Sequence, residues 1–406
     1  MPNKHGCLSR SRCVLLVFTC AVLLSATFAL AFSGSRNKSK IEQLRARVEA
    51  QSLAQGRTPA SLASSIPSGI PAELATEWLD PSIANVILVM VDGVRWQEVF
   101  RGIDPDLGAA LNAEETAPFF EWLKGKALTQ GFLWGNLDRG DDVRVANPSW
   151  KSLPAYQSIF AGATQPCISN SCGRVPVTTL QERLVDANGA EFTHDEVVTI
   201  ASWEKIALAV EHEEGKSFVN TGIKDLADGG SDEELAAINR EQAKDAPPWS
   251  DARFDRYTFR HALRYLKKHE PRFMFISFDD ADELGHLNKY SEYIKSLRFY
   301  DQAMRTLVET VDGMKEYGES TTILLTTDHG RGLKGEWIGH GSGIAGSDRV
   351  WIYGRNNLTR TKPELIKGGP GRPINHLDIR PTVEALFGLK PQGPGKVISE
   401  LIAKQK

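Results

Sequence analysis

The sequence predicts an α/β fold, a three-layer sandwich whose largely parallel central sheet carries helices on both faces. Three observations predict it. Short, continuous apolar runs recur along the chain, at Asn85–Val91, Val197–Ser202, Phe273–Phe278, Thr322–Thr327 and Arg349–Tyr353. Segments with helical spacing separate them, at Ser152–Ala161, Thr179–Asp186, Trp203–His212, Arg253–Lys268, Ser291–Val311 and Ile379–Phe387. Carboxylates follow three of the runs, at Asp92, Asp282 and Asp328, where open α/β sheets gather their ligands.

Taken in order, the chain opens with a targeting segment. Lys4, Arg10 and Arg12 precede an apolar run from Val14 to Phe32, and Ala29-Leu30-Ala31 supplies a small-x-small cleavage site. Two readings stand for residues 1–32: a cleaved secretory signal, or an uncleaved anchor long enough to cross a bilayer. Either exports the rest of the chain, because the basic flank stays inside. Cys7, Cys13 and Cys20 fall within this segment, leaving Cys167 and Cys172 in the body. Two cysteines five apart in an exported chain suggest a disulfide, with free thiols as the alternative.

Residues 33–77 form a stalk and linker. Ile41–Gln55 is charged and helix-favouring, and Pro59–Pro71 is rich in Ser, Ala and Pro. The catalytic domain, residues 78–406, begins near Trp78. Within it Glu213–Ser250 is polar and weakly patterned, an expected insertion on the rim of the site around 213–250. A chain of 406 residues, 41% hydrophobic and 24% charged, can bury a core and is not disordered. Its formal charge of -3, without a basic stripe, argues against a nucleic-acid partner.

The chemistry lies at the strand ends. Asp92 directly follows Val86–Val91, and Gly93 then breaks the strand; Asp328 directly follows Ile323–Thr327, with Gly330 close behind. A single carboxylate after a strand is as readily a turn or cap residue. Three of them, two with histidine attached, make a site. Asp282 and His286 are four residues apart, so one turn can present both to one cation; Asp328 and His329 are adjacent; His340 lies between Gly339 and Gly341. Mixed carboxylate and imidazole donors suit Zn²⁺ and accept Mn²⁺. His194, His212, His261 and His269 sit in charged, surface-like stretches and His376 precedes the final helix, so these read as structural. Ser152, with Pro154 behind it and Gly162 closing the apolar stretch, marks a helix start. Such a serine is either a plain N-cap or, beside a cation, a nucleophile at the anion-attracting end of a helix.

These motifs, in this order, resemble the alkaline phosphatase superfamily, which includes phosphodiesterases, sulfatases and cofactor-independent phosphoglycerate mutases. The resemblance runs from about Asn85 to Asp378-Ile379-Arg380-Pro381-Thr382. It implies that Asp92, Asp328 and His329 hold one divalent cation, which also touches Ser152, and that Asp282, His286 and His340 hold a second. It further implies a phosphoryl-serine intermediate and a phosphorylated small-molecule or lipid substrate, with the membrane a partner if the N-terminal segment stays uncleaved.

Within the superfamily, a sulfatase would carry a modifiable cysteine and an arginine where Ser152 and Tyr156 stand. The diesterase branch places a phosphate-binding asparagine about twenty residues after its nucleophile. Asn170, between the two cysteines, lies near that spacing without matching it; the alternative is a plain loop asparagine. A mutase would need a larger insertion than the stretch between Gly162 and Phe273. Lys151 and Arg174 are either phosphate contacts or solvated charges. The expected function is hydrolysis of phosphate monoesters or diesters. The alternatives are an exported, catalytically silent protein that binds a phosphorylated ligand, or a mutase-like or sulfatase-like member. Specificity would reside in Gly131–Ser149, Thr164–Val177 and Glu213–Ser250, where Trp134, Trp150 and Trp203 stack on a ligand or pack the core rim.

Overall fold

In the computed structural model, residues 84–112, 120–186, 192–230, 232–357 and 369–402 are described. The targeting segment, the stalk and the linker lie outside them. Among the described residues no helix is long and apolar enough to cross a membrane.

The chain runs β1 (Asn85–Val91), α1 (Trp96–Arg101), α2 (Glu121–Gln130), β2 (Phe132–Trp134), β3 (Val143–Arg144), α3 (Ser152–Ala161), α4 (Leu180–Val185), β4 (Val197–Ala201) and α5 (Ala207–Val210). It continues through β5 (Phe218–Thr221), α6 (Glu233–Lys244), α7 (Asp255–His269), β6 (Phe273–Phe278), α8 (Asp280–His286), α9 (Tyr290–Gly313), α10 (Glu316–Glu319), β7 (Thr321–Thr326), β8 (Ile352–Asn356), β9 (Ile374–Asn375) and α11 (Ile379–Leu386).

Seven strands form the main sheet in the order β2-β8-β7-β1-β6-β4-β5. The five from β7 to β5 are parallel, and only the pairings of β8 with β7 and β2 are antiparallel. The pleat sends alternate residues to opposite faces, which explains why the strands are apolar throughout. Val86, Leu88 and Met90 of β1 enter one core with Leu153, Tyr156 and Ile159 of α3 and Ile379 and Val383 of α11. Ile87, Val89 and Val91 enter the other, with Tyr265 and Leu266 of α7 and Tyr293, Leu297 and Tyr300 of α9. The expected sandwich, helices on both faces of a mainly parallel sheet, is the observed one.

Four details differ from the sequence reading. The strand expected at Arg349–Tyr353 forms at Ile352–Asn356 instead, because Arg349 pairs with Asp142 and Asp348 and holds that approach in a loop. β2 and β5 were not foreseen, being too short to show alternation. Glu213–Ser250 is not merely an insertion: β5 extends the sheet, and α6, capped by Asp232, buries Leu235 and Ile238. His261 is not at the surface; it is fully buried on α7, where its Nε2 meets Gln242 Oε1 at 3.1 Å.

Candidate metal centre

The register builds the site. β1 lies between β6 and β7, with Val91 opposite Phe278 and Met90 opposite Thr326. The residues just past those pairs, Asp92, Asp279 and Asp328, therefore emerge level at the carboxyl ends of three adjacent strands. Asp282 follows one turn into α8. All four are buried, with 6% exposure at most.

Asp92, Asp328 and His329 meet around one point. His329 Nε2 lies 3.4 Å from Asp92 Oδ1 and 3.3 Å from Asp328 Oδ2. Asp282, His286 and His340 meet around another: His286 Nε2 to Asp282 Oδ2 is 3.0 Å, His340 Nε2 to His286 Nε2 is 3.2 Å, and His340 Nε2 to Asp282 Oδ2 is 3.8 Å. A tetrahedral ion with bonds near 2.0–2.1 Å separates its ligand atoms by roughly 3.3 Å. The separations of 3.0–3.8 Å given above are near that size. His329 also adjoins the second triangle, so that Asp282, His329 and His340 form a further group close enough to share an ion. The two centres are thus contiguous, and the rings of His329 and His340 stack with centroids 3.7 Å apart.

The donors are aimed. His329 Nδ1 donates to Gly330 O at 2.9 Å, and His340 Nδ1 donates to Trp150 O at 3.1 Å. Burial, the larger cause, holds both rings below their ordinary pKa and hence neutral. Each Nε2 then offers a lone pair inward. Besides the Ser152 hydroxyl, His329 Nε2 faces carboxylate oxygens of Asp92 and Asp328, and Asp328 Oδ2 has no hydrogen-bond partner although fully buried. Burial and then Asp282 push the Asp328 carboxyl up to about 7. Burial, Asp328 and Asp282 push Asp92 well above the usual carboxylate range. Buried carboxyls whose proton affinity is raised by crowding, set beside imidazole lone pairs, are what a divalent cation relieves, so these residues fit a metal pair.

Ser152 is the first residue of α3, and the N-cap position is Lys151. The serine makes no capping bond; its Oγ is instead 3.1 Å from His329 Nε2 and 3.4 Å from Asp92 Oδ1. The capping role falls to Asn170, whose Oδ1 accepts from Leu153 N at 3.0 Å. Cys167 and Cys172, paired in a disulfide with Cα atoms 5.7 Å apart, hold the loop that carries it.

Several site residues escaped the sequence reading. Arg331 is fully buried; it pairs with Asp282 Oδ1 and donates to the carbonyls of Trp337 and Ile338 at 2.8 and 2.7 Å. Burial alone would raise the Asp282 carboxyl, but Arg331, His340 and His286 together hold it well below its ordinary range. Oδ1 is thereby occupied and Oδ2 left to the histidines. Gly285 makes room for this, since a Cβ there would stand 2.6 Å from the guanidinium carbon. Tyr156, one turn after Ser152, donates to Asp92 Oδ2 at 3.2 Å and meets Ser277 Oγ at 3.1 Å. Asp279 is buried with an unpartnered Oδ2. Trp150 adopts a left-handed φ of 51°, held where Asn147 Oδ1 accepts from Ser149 N, Ser149 Oγ and Trp150 N; this turn presents the Trp150 carbonyl to His340. Trp134 and Trp203 are buried in the core rather than facing a ligand. The spacing of Tyr156 from Ser152 could have signalled its role; nothing local distinguishes Arg331.

Comparison with known proteins agrees with this geometry. Residues 215–335, which carry Asp282, His286, Asp328 and His329, match the Metalloenzyme superfamily. Among solved structures the fold is similar to a variant of the alkaline phosphatase PafA, at 12% identity over 78% of this chain and 98% of that one, with a TM-score of 0.51. It is equally similar to a 2-O GAG sulfatase, at 12% identity over 80% of this chain and 75% of that one, with a TM-score of 0.51. No curated protein matches the chain in sequence.

Proposed function

We propose that this chain, which has the alkaline phosphatase superfamily fold, is a dinuclear metal-dependent hydrolase of phosphate esters that acts through Ser152. The observation that carries the reading is the pair of ion-sized triangles sharing one buried pocket, with a serine hydroxyl 3.1 Å from His329 Nε2. Zn²⁺ is the cation the donor set favours, with Mn²⁺ accepted. When bound, such cations lower the proton affinity of a hydroxyl and neutralise charge developing on a phosphoryl group.

The chain's own residues do the rest. Asp92, Asp328 and His329 hold the site that Ser152 adjoins; Asp282, His286 and His340 hold the other. The start of α3 places Ser152 Oγ at the positive end of the helix, which favours an ionised oxygen there. Ser152 Oγ attacks phosphorus, the ester oxygen departs, and water later cleaves the phosphoryl-serine. Asn170 fixes the first turn of α3 through its Oδ1, and its amide N–H groups supply donors for a phosphate oxygen. Tyr156 stands where a sulfatase would have arginine, and its bond to Asp92 ties that position to the metal ligands. The substrate is a phosphorylated small molecule or lipid. The disulfide supports an exported protein, secreted or tethered by its N-terminal segment.

The test is metal analysis of the purified protein followed by aryl phosphate, phosphodiester and aryl sulfate substrates with and without added Zn²⁺ or Mn²⁺. Phosphate ester turnover that is lost on chelation is expected. Ser152→Ala should retain both metals and lose turnover by about a thousandfold or more. Metal binding with no turnover of any ester would favour the silent-binder alternative, and preference for the sulfate would overturn the phosphate reading.

A further inference from the structure

We propose that Lys151 makes this centre selective for phosphomonoester dianions over phosphodiesters, an inference that rests on the phosphate-ester reading of the same site. Lys151 occupies the N-cap of α3, directly before Ser152, with extended backbone angles of -129° and 157°. Its side chain is half-buried, and its Cε lies 3.6 Å from where a Cβ on Gly341 would stand. The lysine stem therefore runs along the loop that carries His340, while its own backbone carries the nucleophile. Among the described residues it takes part in no ion pair, although carboxylates crowd the centre beside it.

Other cations near this centre are committed elsewhere. Arg174 donates to Ala207 O and Glu211 O at 2.6 and 3.0 Å and pairs with Glu214 at 3.3 Å, so its charge is already engaged. Arg331 is bound to Asp282 and to two carbonyls. Lys151, half-buried and outside any ion pair among the described residues, is therefore the cation left to meet an arriving anion.

Charge balance says which anion. Asp92, Asp282, Asp328 and an ionised Ser152 carry the negative charge that a pair of divalent cations would cancel, and Arg331 adds one positive charge. A diester monoanion neutralises that charge. A monoester dianion leaves one negative charge over, on a terminal oxygen that a diester replaces with an ester link. Lys151, whose backbone leads into Ser152 and whose stem lies along the His340 loop, is the cation available to match it, and an ammonium bond to a phosphate oxygen is of the stronger, charge-assisted kind.

The experiment compares Lys151→Ala and Lys151→Arg with the wild type, each Zn²⁺-loaded and checked for metal content. An aryl phosphate and its methyl diester serve as substrates, and calorimetric titration with inorganic phosphate and with dimethyl phosphate reads binding apart from turnover. Lys151→Ala should lower kcat/KM for the monoester and weaken inorganic phosphate binding by roughly 10- to 100-fold. Turnover of the diester and binding of dimethyl phosphate should change by no more than about threefold, and Lys151→Arg should recover part of the loss. Equal losses on both substrates, or no loss on either, with metal content unchanged, would overturn the proposal. A wild-type protein that binds metal but hydrolyses neither ester, and binds neither phosphate, would instead remove the reading beneath it.

Discussion

Asp328→Asn should make the metal-free protein more stable while destroying its metal affinity. The carboxyl of Asp328 is fully buried and pushed from an ordinary value of 3.8 up to about 7, by burial and then by Asp282. Because the folded state holds its proton more tightly than the unfolded chain does, this group costs stability as pH rises from about 4 to about 7. The full cost above pH 7 is on the order of 4 kcal/mol. Asparagine has the same shape without the charge. Its Oδ1 can keep the 3.0 Å bond from Gly93 N, and its Nδ2 would stand 3.3 Å from the His329 Nε2 lone pair, turning two opposed acceptors into a hydrogen bond. Urea unfolding of chelator-treated protein at pH 8 should therefore show Asp328→Asn more stable than wild type by a few kcal/mol, and the gap should close near pH 4. Added Zn²⁺ should reverse the order, since binding to the folded state stabilises only the protein that retains its ligands. If the metal-free variant at pH 8 is no more stable than wild type, the picture of uncompensated carboxylates awaiting a cation is wrong.

Two further outcomes are expected. Tyr156→Phe removes the hydroxyl that donates to Asp92 Oδ2 while keeping the ring in the core; metal affinity, measured against a competing chelator, should fall about 10-fold with the fold unchanged by circular dichroism, and an unaltered affinity would show that Asp92 needs no such support. His261 is fully buried and its pKa is lowered to about 3, by burial and then by Arg253, so folding excludes a proton that the unfolded chain binds below 6.5. Stability should thus decline as pH falls from 6.5 towards 3, and His261→Gln should remove about 2 kcal/mol of the loss between pH 7.5 and pH 5 in urea titrations, a slope unchanged by the substitution being the contrary result.

Apolar runs with period-free burial marked β1, β4, β6 and β7 and the parallel class, because a strand covered on both faces must be apolar at every residue. The carboxylates past those runs, the Asp282–His286 spacing and the Ser152-x-Pro154 helix start were legible for the same reason: each depends on neighbours within a turn. Strand order was not legible. That β1 lies between β6 and β7, bringing Asp92, Asp279 and Asp328 level, depends on contacts between residues some two hundred positions apart, which leave no local pattern. Arg331 and the left-handed turn at Trp150 were likewise decided by the fold alone, and the partner of Tyr156, one turn from Ser152, was settled there too. Each works through a partner that is distant in sequence, and only packing chooses which buried arginine meets which carboxylate, or which carbonyl sets a histidine's tautomer.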